Sequence, residues 1–176
     1  MLMLLEEISN INQDCNYHLK SNSSKSSYIL NLCINKHTEL KIGLYLKLSR
    51  RGSPWGFTFK DTHQNEINDL AYKCDTIFLL LITGQEGIAV IDEGIFPQLL
   101  DEKIEKSEWI SVSRKPRQNF RVTSKDGTEK MIIPKNSFPN KITEYIENNV
   151  SIPQTKISRL KVLKEKINLF KKILNN

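Results

Sequence analysis

The sequence predicts an α/β or α+β fold, a single domain with a mixed central β-sheet flanked by helices and followed by an amphipathic C-terminal helix. Three observations carry this expectation. Two neighbouring segments, Tyr28 to Ile34 and Leu40 to Leu48, alternate apolar and polar residues. A nearly unbroken apolar run, TIFLLLIT from Thr76 to Thr83, follows a helix-patterned stretch. Strand-like and helix-like segments then continue to interleave, which is the pattern of a sheet with helices packed on it.

Taken in order, residues 1–13 read as a short amphipathic helix with Leu2, Leu5 and Ile8 on one face. A polar stretch at 21–27, SNSSKSS, reads as a linker. Tyr28, Leu30, Leu32 and Ile34 share one side of a strand, and the turn NKHT returns the chain into a second strand, making a hairpin. In that second strand Leu40, Ile42, Leu44, Leu46 and Leu48 face the core, while Lys41, Gly43, Tyr45, Lys47 and Ser49 form a face free for function. Asp61-Thr62 is expected to cap a helix running to about Lys73, with Ile67, Leu70 and Ala71 as its buried stripe. Thr76–Thr83 suits a strand covered on both faces; Gly84 and Gly87 bracket a turn, and GIAVID is the next strand. Phe96 to Ile104 reads as a helix. Trp109–Ser113 and Asn119–Thr123 read as strands joined by the basic turn Arg114-Lys115-Pro116-Arg117. Asp126-Gly127 marks a tight turn into a strand at Lys130–Ile133, and helices are expected at Pro139–Asn148 and Thr155–Leu174. The domain is thus placed at 1–150, with 1–27 as its N-terminal helix and linker, and 151–176 as a separate basic amphipathic helix.

A length of 176 residues suits one domain, and 39% hydrophobic with 26% charged residues suits a folded, water-facing protein. The net charge of +6 points towards anionic partners such as nucleic acid, although richness in Lys, Asn and Ile gives a positive total by composition alone. Position therefore matters more than the sum. Cys15, Cys33 and Cys74 form no CxxC pair, so neither a disulfide framework nor a zinc knuckle is indicated, and a cytoplasmic location is the expectation. The segment MLMLLEEISNI lacks the basic start of a signal peptide, and Ile77–Ile82 is far shorter than the roughly 20 apolar residues of a membrane span. His18, His37 and His63 have no metal-ligand spacing. Gly84-Gln85-Glu86-Gly87 lacks the ending of a phosphate-binding loop, and neither GxGxxG nor GxSxG occurs. Nucleotide hydrolysis, dinucleotide binding and serine hydrolysis have no motif to rest on.

Two basic, aromatic-containing segments remain. The first holds Lys47, Arg50, Arg51, Trp55, Phe57 and Phe59; the second holds Trp109, Arg114, Lys115, Arg117, Phe120 and Arg121. Arginine and lysine neutralise phosphates, and an exposed ring accepts an unpaired base at about 1–3 kcal/mol. If both segments lie at one end of the sheet they make a groove for DNA or RNA, with phosphate contacts supplying most of the affinity.

Over residues 28–92 the order hairpin, Tyr45-Leu46-Lys47, WGFTF, helix and buried strand resembles the core of the restriction-endonuclease-like PD-(D/E)XK superfamily. Tyr45 stands where that family has a carboxylate. The resemblance implies a nuclease-like fold kept for binding or, alternatively, a metal-dependent endonuclease needing Mg²⁺. In the second case Glu39, Lys41 and Lys47 would stand near the catalytic centre, with carboxylates holding the cation and a lysine positioning the attacking water. A third reading uses the last helix, where Leu160, Leu163, Ile167, Phe170 and Leu174 step by three and four among lysines, as a homo-oligomer or protein-partner contact.

Overall fold

The computed structural model of the protein describes residues 2–11, 16–34, 38–50, 52–100, 107–124 and 130–150. Within them the chain runs α1 (Leu2–Ile11), β1 (Asn16–Ser21), β2 (Ser27–Ile34), β3 (Thr38–Leu48), β4 (Trp55–Phe59) and α2 (Asp61–Lys73). It continues through β5 (Thr76–Ile82), β6 (Ile88–Asp92), α3 (Phe96–Leu99), β7 (Glu108–Ser113), β8 (Phe120–Thr123), β9 (Lys130–Ile133) and α4 (Ser137–Val150). The architecture is α+β, with two sheets instead of one. The expected helix at Thr155–Leu174, the Asp126-Gly127 turn and Arg51 lie outside the described residues.

The first sheet is mixed, in the order β1-β2-β3-β5-β6, and only the β3–β5 pair is parallel. Parallel neighbours need a crossover, and here β4 and α2 supply it. The second sheet, β4-β7-β8-β9, is antiparallel throughout. Period-two alternation on the first sheet sorts its side chains into two cores. Leu30, Leu32, Leu40, Ile42, Leu44, Phe78, Leu80 and Val90 pack against Leu4, Ile8, Ile142 and Ile146 of α1 and α4. Ile29, Tyr45, Ile77, Leu79, Leu81, Ala89 and Ile91 meet α2 and the inner face of the second sheet. The apolar run of β5 is buried on both faces, as expected of a strand with a helix layer below and a mixed layer above.

Several expectations change. The 21–27 stretch is not a free linker. Asn16–Ser21 forms an edge strand whose side chains are mostly exposed, held to β2 by the backbone ladder, so no apolar alternation announces it. The turn after it is pinned to α2, with Asn22 Nδ2 donating to Asp69 Oδ2 at 2.9 Å and Ser24 Oγ to Glu66 Oε2 at 3.0 Å. The second face of β3 is also not free, because α2 lies on it. At Gly43 an added Cβ would stand 2.5 Å from Ile77 Cγ2 and 3.3 Å from Leu70 Cβ, so the missing side chain is what admits the helix. WGFTF is a strand, with Trp55, Phe57 and Phe59 buried and Gly56 and Thr58 exposed. The cap of α2 is Lys60, and Asp61 is the first helical residue. In α4 the backbone is extended at Phe138 (φ −104°, ψ 129°), the conformation favoured before a proline, ahead of the regular helix.

Candidate functional site

Two turns that are distant in sequence meet at one end of the molecule. The parallel strands β3 and β5 finish side by side, with Ser49 N–H donating to the Ile82 carbonyl at 3.1 Å. Beyond these carboxyl ends lies a cavity of about 660 Å³, lined by Leu48, Ser49 and Arg50, by Trp55, by the 83–86 turn, and by Arg114 and Pro116. Left-handed glycines shape the 83–87 turn, Gly84 at φ 67° and Gly87 at φ 115°. Buried Thr83 locks it, its hydroxyl donating to the Gly87 carbonyl at 2.9 Å. Of the two basic segments, Arg50 and Trp55 of the first and Arg114 of the second line this cavity; Lys47, Lys115, Arg117 and Arg121 do not.

Their cations do different work. Arg114 is largely spent on the protein: Nε donates to the Gln118 carbonyl at 2.8 Å, Nη1 donates to the Glu86 carbonyl, and Glu86 Oε2 lies 3.5 Å away. Its guanidinium also sits over the Phe120 ring, 5.1 Å from the centroid. Arg114 thus clamps the β7–β8 turn to the 84–86 turn. Arg50, Lys115, Arg117 and Arg121 are exposed, and no ion pair joins them to the described residues. Arg117 stands at the turn tip with φ 64°, a conformation uncommon for a residue with a side chain.

The rings divide just as sharply. Trp55 (5% exposed), Phe57, Phe59 and Phe120 belong to the core, so their faces are not offered to a base. This corrects the stacking surface expected at 55–59; the alternation that suggested it is that of a half-buried strand. Trp109, at 43% exposure, is the ring of these segments that faces outwards.

Lys47 does not line the cavity; it lies beneath the start of α2. Its Nζ lies 2.9 Å from His63 Nδ1 and 5.3 Å from the centre of the Phe59 ring. Burial pushes the ammonium down to about 8; the Glu66 carboxylate opposes this and Lys60 adds to it. His63 Nδ1 also accepts the Lys60 backbone N–H at 3.1 Å, closing the helix cap. With two donors aimed at it, Nδ1 carries no proton. Burial first, then the Lys47 charge, holds the imidazole below its ordinary value. Beside this pair Tyr45 Oη donates to Glu66 Oε2 at 2.9 Å, and burial followed by that hydrogen bond raises the phenol. Nothing in the sequence marks His63 and Glu66 as partners of Lys47 and Tyr45 except their i, i+3 spacing, which puts them on one side of α2.

Glu39, Lys41 and Lys47 do not form one centre. Glu39 and Lys41 are exposed at the start of β3 with their charges 4.0 Å apart, and Lys41 N–H donates to Asp75 Oδ2 at 2.9 Å. Extended backbone of about 3.3 Å per residue sets Lys47 roughly 26 Å from Glu39. Among the described residues no group of three or more His, Cys, Asp or Glu side chains is arranged to hold a metal ion. Burial pushes the Cys74 thiol up to about 11, which makes it a packed thiol. No described helix is long and apolar enough to cross a membrane. No protein-family model matches the chain, and neither does any curated protein or solved structure.

Proposed function

We propose that the chain binds nucleic acid, DNA or RNA, at the end where its two basic turns meet, with Arg50, Lys115 and Arg117 neutralising phosphates and Arg121 extending the track along β8. The observation that carries this reading is the cavity to which both segments contribute, the first through Arg50 and Trp55 and the second through Arg114 and Pro116. Arg114 is paired with Glu86 of the same lining, while Arg50 there and Lys115 and Arg117 on the adjoining turn are exposed cations with no ion pair to a described carboxylate. Arg51 follows Arg50 in the sequence and adds to the same charge. Phosphate contacts position a strand without reading it, so sequence preference is modest. On this reading the nuclease-like resemblance over 28–92 is a scaffold used for binding. Lys47, turned under α2, acts on the fold instead of on the ligand.

The test is a titration with single- and double-stranded DNA and RNA at several salt concentrations. Binding is expected to weaken linearly on a log–log plot, and each of Arg50→Ala and Arg117→Ala is expected to lower the slope by about 0.7–0.9. Affinity that ignores salt, or is unchanged in both variants, overturns the proposal.

A further inference from the structure

We propose that the outer face of the second sheet is a stacking platform for single-stranded nucleic acid, centred on Trp109. This deepens the nucleic-acid reading above and rests on it. The register decides which side chains share that face. Ile110 and Val112 turn inwards with Trp55 and Phe57, so Trp109 and Ser111 turn outwards. Ser111 lies opposite Thr123, and Thr123 opposite Lys130, giving a row of two hydroxyls and a cation across three strands. Arg121 lies opposite Ile132 in the next row. At Gly56, in the row of Ser111, an added Cβ would meet nothing within 4 Å. The space above Gly56 is open, and Lys130 at the other end of the row is exposed.

Charge commits the face to one kind of occupant. The outward positions of all four strands carry no Asp or Glu, and the one acidic residue in them, Glu108, turns inwards at 4% exposure. An apolar partner would be met by Ile132, which is 68% exposed, but not by Arg121, Lys130 and the hydroxyls around it. An unpaired strand satisfies them all: a base stacks on the indole, phosphates meet the two cations, and sugar or base edges meet Ser111 and Thr123. Strand spacings of about 4.8 Å and rises of about 3.3 Å place both cations roughly 12–14 Å from the Trp109 backbone, within reach of the same short segment. A duplex keeps its ring faces stacked inside and offers none to Trp109. Arg121 is also opposite Ser113, next to Arg114, so the platform adjoins the basic turn.

The experiment uses the full chain with a fluorescent oligo-dT and, separately, a duplex of equal length. Trp109→Ala, checked for folding by circular dichroism, is expected to weaken oligo-dT binding by roughly 5- to 150-fold, the loss of one stacked base, and to leave duplex binding nearly unchanged. Trp109→Phe is expected to restore most of the loss. Oligo-dT affinity unchanged in Trp109→Ala, while Arg50→Ala and Arg117→Ala still weaken it, overturns the platform and leaves the basic end standing. No binding of either nucleic acid overturns both. A self-associating wild-type chain that Trp109→Ala renders monomeric assigns the face to a second copy and likewise overturns the proposal.

Discussion

The Lys47 ammonium donates to Nδ1 of His63 across 2.9 Å, the same nitrogen that accepts the Lys60 backbone N–H. A protonated imidazole would lose both hydrogen bonds at once and face a second cation. Native His63 is therefore neutral where the unfolded chain, with an ordinary value near 6.5, takes up a proton. The unfolded state then binds more protons, and stability falls as the pH drops below about 6.5. For Lys47, lowered to about 8, the sign is the same over a different window: between about 8 and 10.5 the unfolded lysine keeps a proton that the native one has lost, so stability rises with pH there. NMR titration is expected to find His63 below its ordinary range. Lys47→Met should move it up and flatten the rise in urea midpoint above pH 8; an unmoved His63 would refute the coupling.

Gly43→Ala should destabilise the fold by about 1–3 kcal/mol in urea unfolding, because overpacking must displace Ile77 or lift α2 from β3. Gly56→Ala, with open space above it, is the control and should cost well under that amount. Equal losses at the two positions would mean that the close approach at Gly43 is not what matters.

Gln64 is buried at 6% exposure, and its Nε2 has no hydrogen-bond partner among the described residues. A buried donor left unmade costs about 1–3 kcal/mol. Gln64→Met keeps the volume and removes the donor, so the thermal midpoint is expected to rise. A fall would show that the amide is satisfied in solution.

Arg114 and Arg50 line the same cavity, but substitutions should separate their roles. Arg114→Ala is expected to speed amide exchange in the 84–87 turn, since it removes the contacts to Glu86 and Phe120. Arg50→Ala should leave that exchange unchanged and reduce only the salt slope of binding. If Arg114→Ala leaves the turn as protected as before, the clamp is not structural.

The hairpin, α2, β5 and β6 were legible because each carries strong periodicity of its own. The strand β1 was not, because a polar edge strand takes its order from the neighbouring ladder and leaves no mark in its own composition. Clustering exposed the two basic turns, but in the sequence their meeting is only a condition, because it depends on how the two sheets pack. What the sequence hid was tertiary. Trp55 and Trp109 look alike in a row of residues, and only the pairing of Trp55 with Val112 and Thr58 with Trp109 puts one ring inside and the other out. Tyr45 and Lys47 looked free until α2 folded over β3 and brought Glu66 and His63 to them.

The strand β4 lies inside the connection between β3 and β5 yet belongs to the other sheet, where Trp55 pairs with Val112, 57 positions further on. Closing the parallel pair thus carries the first strand of the second sheet into place before its partners have been reached. Neither sheet is a separable folding unit. A cut between them would leave Trp55, Phe57 and Phe59 facing water, so the two sheets are expected to unfold in one cooperative step, and the non-local contacts between them favour slow folding.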